Sequence, residues 1–304
     1  MTQVPLGLEH DARIGAPPRP PTTVGGRRRF GRLWLHLTLA VVSIIWLLPT
    51  VALLVSSFRP ASETATSGWW TAFKLPFQFT LENYDSVLSQ QNMGQSFLNS
   101  LFIAIPATVI PIMVAAFAAY AFAWMEFPGR DTLFILVVGL LVVPLQAALI
   151  PVLQLSTDVG ITGSFLAVWL AHTGFGLPFA IFLLRNFFGA MPKEMFESAY
   201  IDGASPMTAF FRLALPLSVP AIASLVIFQF MFVWNDLLVA LILVGGTPDV
   251  APMTVTIANL VNSLGQGWQL LTAAAFISMI LPLVVFFALQ RFFVRGILGG
   301  SVKG

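Results

Sequence analysis

Residues 191–216 of the chain read MPKEMFESAYIDGASPMTAFFRLALP, and this stretch lies between two long apolar runs. Pro192 suits the first position of a helix, and Gly203 suits the left-handed conformation that often ends one. Ser205 and Pro206 then have the N-cap and first-position pattern of a second helix. The pattern predicts two short amphipathic helices on a polar connection. Such a hairpin has more apolar surface than a solvated loop needs, so we expect it to dock on another surface.

The composition of the 304-residue chain is that of a membrane protein. It is 57% hydrophobic and 9% charged, whereas soluble domains are about 25% charged. A transmembrane helix needs about 20 mostly apolar residues, and the runs here do not alternate as barrel strands do. The sequence therefore predicts an all-α polytopic membrane protein with six transmembrane helices. The predicted spans are residues 33–57, 97–124, 132–153, 165–187, 217–244 and 270–290.

Basic residues are distributed unevenly over the predicted loops. With both termini inside, 13 of the 15 Lys and Arg residues lie in the cytoplasm, and Arg59 and Lys74 lie outside. The positive-inside rule thus predicts a multi-pass protein of a bacterial plasma (inner) membrane, with cytoplasmic N and C termini and a cytosolic hairpin. We expect a disordered basic tail at residues 1–32, a six-helix transmembrane domain at residues 33–290 and a cytosolic tail at residues 291–304.

The residue types present argue against catalysis by this chain. It has no cysteine, which excludes disulfides, thiolate chemistry and Cys-based metal sites. The three histidines, His10, His36 and His172, form no convincing metal site, and no Walker-type phosphate loop occurs. The basic residues form no stripe with interleaved aromatic residues, so no nucleic acid is expected as a partner. We expect a non-catalytic chain that binds no cofactor and does not hydrolyse ATP by itself.

A few polar side chains within the predicted spans are candidates for a transport path. Asp236 follows Trp234 and Asn235 in the outer third of the fifth span, where a carboxylate must face the bundle interior or a watery cavity. These three side chains could stack on and hydrogen-bond a solute. They could equally make an interhelical hydrogen bond or a helix-end contact. Gln146 in the third span is a further path candidate, and His172 is expected to be an interhelical donor.

Prolines within the predicted spans indicate bends, because each removes a helical hydrogen bond. Membrane helices tolerate such prolines. Kinks of this kind fit both a moving transport path and a static bundle. The residues are Pro49, Pro106, Pro111, Pro144, Pro151, Pro178 and Pro282.

The spacing of the hairpin residues resembles a known motif. Glu197-Ser198-Ala199, Gly203 and the Leu213–Pro216 tetrapeptide are similar to the EAA loop, Glu-Ala-Ala-x3-Gly-x9-Ile-x-Leu-Pro, of ATP-binding-cassette importer permeases. Other stretches resemble the carbohydrate-uptake class and the smaller maltose-type permease. They are Ser57-Phe-Arg-Pro60, Leu81-Glu-Asn-Tyr84, Asn99-Ser-Leu101, Tyr120-Ala-Phe-Ala123, Phe127-Pro-Gly-Arg130, Trp234-Asn-Asp236 and, at the C terminus, Gln290-Arg-Phe-Phe-Val-Arg-Gly296 with Gly300-Ser-Val-Lys-Gly304.

The resemblance implies a multi-subunit transporter in the membrane lipid. Its other members would be a second permease subunit, two ATP-binding cassette ATPase subunits that bind ATP and Mg, and an extracytoplasmic solute-binding protein. The hairpin would lie in a cleft of an ATPase subunit, with apolar contact from Phe210 and Phe211. The residues implied in coupling are Glu197, Ser198, Ala199, Asp202, Gly203, Ala204, Phe210, Phe211, Leu215, Pro216 and Lys303.

The resemblance further implies a permease subunit of a binding-protein-dependent sugar importer, in which ATP hydrolysis elsewhere drives alternating access. The sugar could be a mono-, di- or oligosaccharide. Another polar solute, such as a glycerol phosphodiester or a polyol, is the alternative, and a secondary transporter or a channel is a weaker one because neither explains the hairpin. The expected path residues are Trp234, Asn235, Asp236 and Gln146. In maltose-type systems, however, the partner permease can supply most of the sugar contacts.

Overall fold

The computed structural model describes the backbone of residues 25–260 and 267–301 and the side chains of residues 32–260 and 267–291. Within these residues the regular structure is helical, as predicted. One-turn 3-10 segments cover Trp69–Phe73 and Leu140–Val142, and a π-helical turn covers Phe210–Ala214. The α-helices are α1 (Gly25–Ser57), α2 (Ala61–Thr66), α3 (Glu82–Gln90), α4 (Met93–Trp124), α5 (Arg130–Gly139), α6 (Leu145–Asp158), α7 (Phe165–Gly189), α8 (Lys193–Ile201), α9 (Pro206–Ala209), α10 (Leu215–Leu217), α11 (Val219–Trp234), α12 (Leu238–Leu243), α13 (Met253–Ala258) and α14 (Trp268–Ser301).

Four helices in the described part of the chain, α1, α4, α7 and α14, are long and apolar enough to cross a membrane. Two bent helix pairs raise the number to six if each is one span. The first pair, α5 with its 3-10 turn and α6, bends by 104° in the third predicted span. Its break lies at Val143, which is extended as residues before proline tend to be. The second pair, Pro206–Leu217 with Val219–Trp234, bends by 72°. The prediction of six spans therefore agrees with the fold when each bent pair is counted as one span.

The fifth predicted span, residues 217–244, is not the continuous helix that its hydropathy suggests. Helix α11 ends at Trp234, and α12 begins a separate helix at Leu238. The carboxylate of Asp236 accepts hydrogen bonds from the backbone N–H groups of Val239 at 3.3 Å and Ala240 at 3.0 Å. Because this carboxylate satisfies donors at the start of α12, it favours a new helix over continuation of the old one.

The chain divides into two compact units, residues 1–51 and 52–304. In the first unit, α1 begins at Gly25, inside the segment predicted to be a disordered tail, and residues 1–24 of that tail lie outside the described residues. Apolar side chains such as Trp34 and Trp46 are exposed along α1. A helix that is apolar on all sides is typical of a membrane span.

The second unit is built on the long helices α4 and α7, which pack along each other, with α11 between α4 and α14. Its buried apolar residues form two clusters. One cluster includes Met93 and Trp234 near one end of the bundle. The other includes Tyr120, Phe188 and Phe196 at the end that carries the hairpin. We refer to these as the opposite end and the hairpin end.

Three of the span prolines are matched by a hydrogen-bond donor from a neighbouring helix. Pro106, Pro111 and Pro282 each lack the N–H that would bond to the carbonyl four residues earlier. In every case a side chain of another helix donates to that carbonyl instead, so the acceptor that the proline leaves free has a partner. The bonds run from Trp169 Nε1 to Phe102 O at 2.9 Å, from Gln229 Nε2 to Ala107 O at 3.1 Å and from Trp234 Nε1 to Ser278 O at 3.1 Å.

The link between α12 and α13 is held against α4 by two adjacent polar residues. Asn99 Nδ2 donates to the carbonyl of Ala251 at 3.0 Å, and Ser100 Oγ accepts the backbone N–H of Met253 at 2.8 Å. Both side chains are buried. The link leads into the short helix α13, Met253–Ala258, and residues 261–266 lie outside the described residues.

Candidate coupling hairpin and candidate transport path

The first helix of the hairpin ends in a Schellman motif. Gly203 has φ of +85°, a conformation that a Cβ atom disfavours. The N–H of Ala204 donates to the carbonyl of Ala199 at 2.9 Å, and that of Gly203 donates to the carbonyl of Tyr200 at 3.0 Å. These are the two bonds that define the motif. No other atom of the described chain lies within 4 Å of the position that a Cβ would take at Gly203. Within this chain, glycine is therefore required by the backbone conformation and not by a lack of space.

The second helix of the hairpin begins as its sequence predicts. Ser205 Oγ accepts the backbone N–H of Thr208 at 3.2 Å, and Pro206 occupies the first turn of α9. The helix then widens into the π-helical turn Phe210–Ala214. Pro216 lies directly after this turn and has no N–H for the carbonyl of Arg212. The local sequence therefore fixes both the start of the helix and the place where its hydrogen-bond pattern changes.

The inner face of the hairpin is fastened to the end of α4. Phe196 is 1% exposed, and its ring stacks on that of Trp124 with 4.0 Å between the centroids. The indole N–H of Trp124 donates to the carbonyl of Phe188 at 3.1 Å, which joins α4 to the end of α7. The apolar surface of the hairpin led to the prediction that it docks on another surface. Much of that apolar surface is covered by helices of the same chain.

Phe210, which the resemblance places in contact with an ATPase subunit, is buried within this chain. Its ring is 1% exposed and lies 4.8 Å from the ring of Phe117 and 5.1 Å from that of Tyr120. The hydroxyl of Tyr120 also donates to the carbonyl of Pro206 at 3.0 Å. Phe211 on the same turn is half exposed. Of the two phenylalanines, only Phe211 has surface to offer a partner.

The outer face of the hairpin presents most of the other predicted coupling residues. Glu197, Ser198, Asp202, Gly203 and Pro216 are exposed, whereas Ala199, Ala204 and Leu215 are partly buried, and Lys303 lies outside the described residues. Sequence reasoning missed Ile201, which is 86% exposed at the hairpin tip. Met207 on α9 is exposed as well. An apolar side chain immediately before the Asp-Gly turn was the signal that could have identified this tip.

At the opposite end, the Trp234–Asp236 segment makes contacts within the chain. Trp234 is buried and donates to the carbonyl of Ser278, while its ring stacks on Phe230 at 5.5 Å. Asp236 caps α12 as described above. Asn235 is exposed, and its Nδ2 donates to the carbonyl of Met231 at 2.8 Å. Both structural alternatives considered for this segment, an interhelical hydrogen bond and a helix-end contact, therefore occur.

His172 lies beside Asp236 in the interior. It is fully buried, and neither ring nitrogen has a hydrogen-bond partner in the described part of the chain. Its Nε2 is 3.7 Å from Asp236 Oδ2, and the edge of its ring meets Phe232. A cavity of about 10 Å³, lined by both side chains and by Ser100 and Trp234, is about the size that holds one water molecule. It is too small for a sugar.

Gln146, the remaining path candidate, lies apart from this cavity. It is exposed in the first turn of α6, directly after the break between α5 and α6. The described residues that line the small cavity include Trp234 and Asp236 but neither Asn235 nor Gln146. Across the described residues, no three histidine or acidic side chains form a group that could hold a metal ion. The polar groups here suit positioning and hydrogen bonding.

Comparison with known proteins identifies the family. Residues 96–299 match the family described as "Binding-protein-dependent transport system inner membrane component". The chain belongs to this family. It is 60% identical to the osmoprotective compounds uptake permease protein GgtD of Synechocystis sp., over 90% of this chain and 92% of the relative. It is 42% identical to the alpha-glucoside transport system permease protein AglG of Rhizobium meliloti, over 91% of this chain and 99% of the relative.

A solved structure has the same fold as this inner membrane component. The neighbour is a chain of a bacterial ABC transporter involved in the import of the acidic polysaccharide alginate. Its TM-score is 0.75 at 20% identity, and the match covers 90% of this chain and 100% of that chain. The expectation of a multi-pass inner membrane permease of the ABC importer type is confirmed.

Proposed function

We propose that this chain is one of two permease subunits of an ABC sugar importer, powered by ATP hydrolysis in separate ATPase subunits. The observation that carries the proposal is the two-sided hairpin. Its inner face is locked to α4 through Phe196 and Trp124, while Glu197, Ile201 and Gly203 face outward. With both termini in the cytoplasm, as the basic residues favour, the outward face is available to an ATPase subunit.

The contacts of the hairpin support its role as a coupling element. Force applied at Ile201 would pass through the Phe196–Trp124 stack into α4, and from Trp124 into α7 through its bond to Phe188. Tightly packed side chains transmit displacement because protein interiors are close-packed and barely compressible. Closure of the ATPase subunits on ATP would then move the hairpin together with the ends of α4 and α7, and so change which side of the membrane the path opens to.

The face of α4 near the opposite end supports a second permease as partner. Leu98, Phe102 and Ile105 are exposed there and line a surface cavity of about 540 Å³ together with Gln95 and Phe165. An apolar helix face with a recess suits a helix of a neighbouring subunit. If the transport path runs between two permeases, each permease by itself would form only one wall of that path. We propose that the extracytoplasmic binding protein delivers solute to the path that the two permeases complete.

We further propose that the solute is an uncharged glycoside, with an α-glucoside as the first choice. The name of the 42% identical relative specifies an alpha-glucoside, and that of the 60% identical relative specifies osmoprotective compounds. An osmoprotective α-glucoside satisfies both descriptions. Asn235 is the exposed amide at the end of α11 and the side chain in that segment best placed to hydrogen-bond hydroxyl groups.

Proteoliposomes that contain the complete complex and its cognate binding protein can test the substrate class. ATP hydrolysis should rise severalfold with an α-glucoside such as sucrose or trehalose and should not respond to glycine betaine, an osmoprotectant without a sugar. A response to betaine but to no glycoside would contradict the sugar assignment and leave the permease assignment intact. A glycerol phosphodiester and a polyol should be tested in the same assay. The name of the 60% identical relative specifies osmoprotective compounds without a chemical class.

A further inference from the structure

The segment between α1 and α3 is built around a buried arginine. Arg59, two residues after the end of α1, is 2% exposed. Its guanidinium donates to the carbonyl of Ser67 at 3.0 Å, to the carbonyl of Glu63 at 3.0 Å and to Thr71 Oγ1 at 3.1 Å. A buried cation with several acceptors fixes the backbone around it. The segment is therefore an ordered structure.

Both ends of this segment lie at the end of α1. The N–H of Thr80 donates to the carbonyl of Phe58 at 2.7 Å. Asn83 Nδ2 donates to the carbonyls of Ser57 and Arg59, each at 2.8 Å. Helix α1 is a candidate membrane span that ends at Ser57. Residues 60–80 thus leave from and return to the C-terminal end of this candidate span.

Between these two anchor points the segment exposes an unusual amount of apolar surface. The rings of Phe77 and Phe79 are stacked at 6.4 Å, and the edge of Phe73 meets Phe79 at 6.5 Å, so these three side chains form a continuous surface. We use the name aromatic patch for these three side chains together with the exposed Trp70, Leu75 and Leu81 of the same segment. Its members, all about half exposed or more, are Trp70, Phe73, Leu75, Phe77, Phe79 and Leu81.

We propose that the aromatic patch lies in the phospholipid interface of the membrane. Exposed apolar patches on a protein mark contact with protein or lipid. Tryptophan is enriched in the headgroup region at the ends of spans, and tryptophan, phenylalanine and leucine form the apolar face of helices that lie in this interface. Residues 68–81 contain Lys74 and no acidic residue, which suits anionic head groups. Arg59 and Thr71 make their hydrogen bonds within the segment. Contact of the aromatic patch with lipid would therefore leave these hydrogen bonds intact. The leaflet would be the outer one, and this assignment rests on the proposed function, in which both termini lie in the cytoplasm.

Depth-dependent quenching can test the position of the patch. The chain has no cysteine, so one cysteine can be introduced as F77C and labelled with an environment-sensitive fluorophore. The complete complex would be placed in nanodiscs of phosphatidylcholine and phosphatidylglycerol with or without lipid that carries a nitroxide near the top of its acyl chain. The wild-type complex, treated with the same dye, measures labelling of the other subunits.

A matched label at Glu82, introduced as E82C, is the control. Glu82 is exposed and charged in the first turn of α3, close to the patch in sequence. We expect the nitroxide lipid to quench the label at residue 77 at least twofold more than the label at residue 82. We also expect aqueous iodide to quench residue 82 more. Equal iodide access at both positions would overturn the proposal, since the patch would then be in water.

Protection of residue 77 from both quenchers would also overturn it, because a protein partner would then cover the patch. Substrate-stimulated ATP hydrolysis is measured on the same labelled complexes. This measurement tests the importer function separately from the lipid contact of the aromatic patch. A complex that hydrolyses ATP normally but shows iodide access at residue 77 refutes the lipid contact and leaves the importer function standing. W70C provides a second position on the patch, with the same expected result as F77C.

Discussion

The indole N–H of Trp234 donates to the carbonyl of Ser278 at 3.1 Å, and this carbonyl is the one that Pro282 deprives of its helical partner. Trp234 is therefore hydrogen-bonded to α14 at the carbonyl that its proline leaves without a helical donor. Its ring stacks on Phe230 within α11. The bond joins α11 to α14, so a role of Trp234 in transport would act through the position of these helices.

Replacement of Trp234 by phenylalanine should lower the free energy of unfolding by about 1–3 kcal/mol, because the partly buried carbonyl of Ser278 then has no donor. The loss should appear as a lower melting temperature of the purified protein. In a P282A background, residue 282 regains an N–H for Ser278, and W234F should cost at least about 1 kcal/mol less than in the wild type. Equal costs in the two backgrounds would show that the indole bond does not compensate for the proline.

Gly176 should tolerate alanine poorly, although it lies in the middle of α7. A Cβ at this position would meet the amide of Gln229, with 2.7 Å to its Oε1, and would displace that amide from the carbonyl of Ala107. Gly174 is the matched control, since a Cβ there meets nothing within 4 Å. We expect G176A to be less stable than G174A by about 1–3 kcal/mol in thermal unfolding. A G176A protein as stable as G174A would refute this account of the contact.

Removal of the Tyr120 hydroxyl should loosen the hairpin. The hydroxyl donates to the carbonyl of Pro206 at 3.0 Å, and a buried hydrogen bond of this kind contributes about 1 kcal/mol. Amide hydrogen exchange in residues 193–209 should therefore be about fivefold faster in Y120F. Y200F is the control, because Tyr200 is partly exposed and Tyr120 keeps its bond to Pro206. Unchanged exchange in Y120F would mean that the hairpin is held by other contacts.

Much of the hairpin could be predicted from its sequence, because its determinants are local. Gly203, Ser205 and Pro206 act on the backbone within a few residues of themselves, and the observed caps follow from those rules. The direction in which its apolar face points depends on α4, about 70 residues away in the chain. Hydrophobic spacing shows that Phe196 and Phe210 must be covered, but it does not identify Trp124 and Tyr120 as the residues that cover them.

The transport path was less predictable for the same reason. Hydropathy averages over a window, so it places Asp236 inside one long span, although the Asp236 carboxylate accepts backbone N–H groups at the start of the separate helix α12. The partners of Trp234 and Gln229 are backbone carbonyls on other helices. A proline reveals that a carbonyl four residues earlier needs a donor, but the identity of the donor depends on how the helices pack.

The claim that the hairpin couples this permease to ATP hydrolysis is tested most directly by vanadate-sensitive ATP hydrolysis of the purified complex, stimulated by its substrate-loaded binding protein. The change is G203V, because valine strains a backbone at φ of +85° and adds bulk to the exposed tip. G160V is the control, since Gly160 has φ of +76° and equally open surroundings at a different turn. Subunit stoichiometry is measured on both complexes.

We predict that G203V abolishes most of the stimulation, either in an assembled complex or through loss of the ATPase subunits, whereas G160V retains it. Full stimulation and transport by an assembled G203V complex would contradict the coupling role of the hairpin.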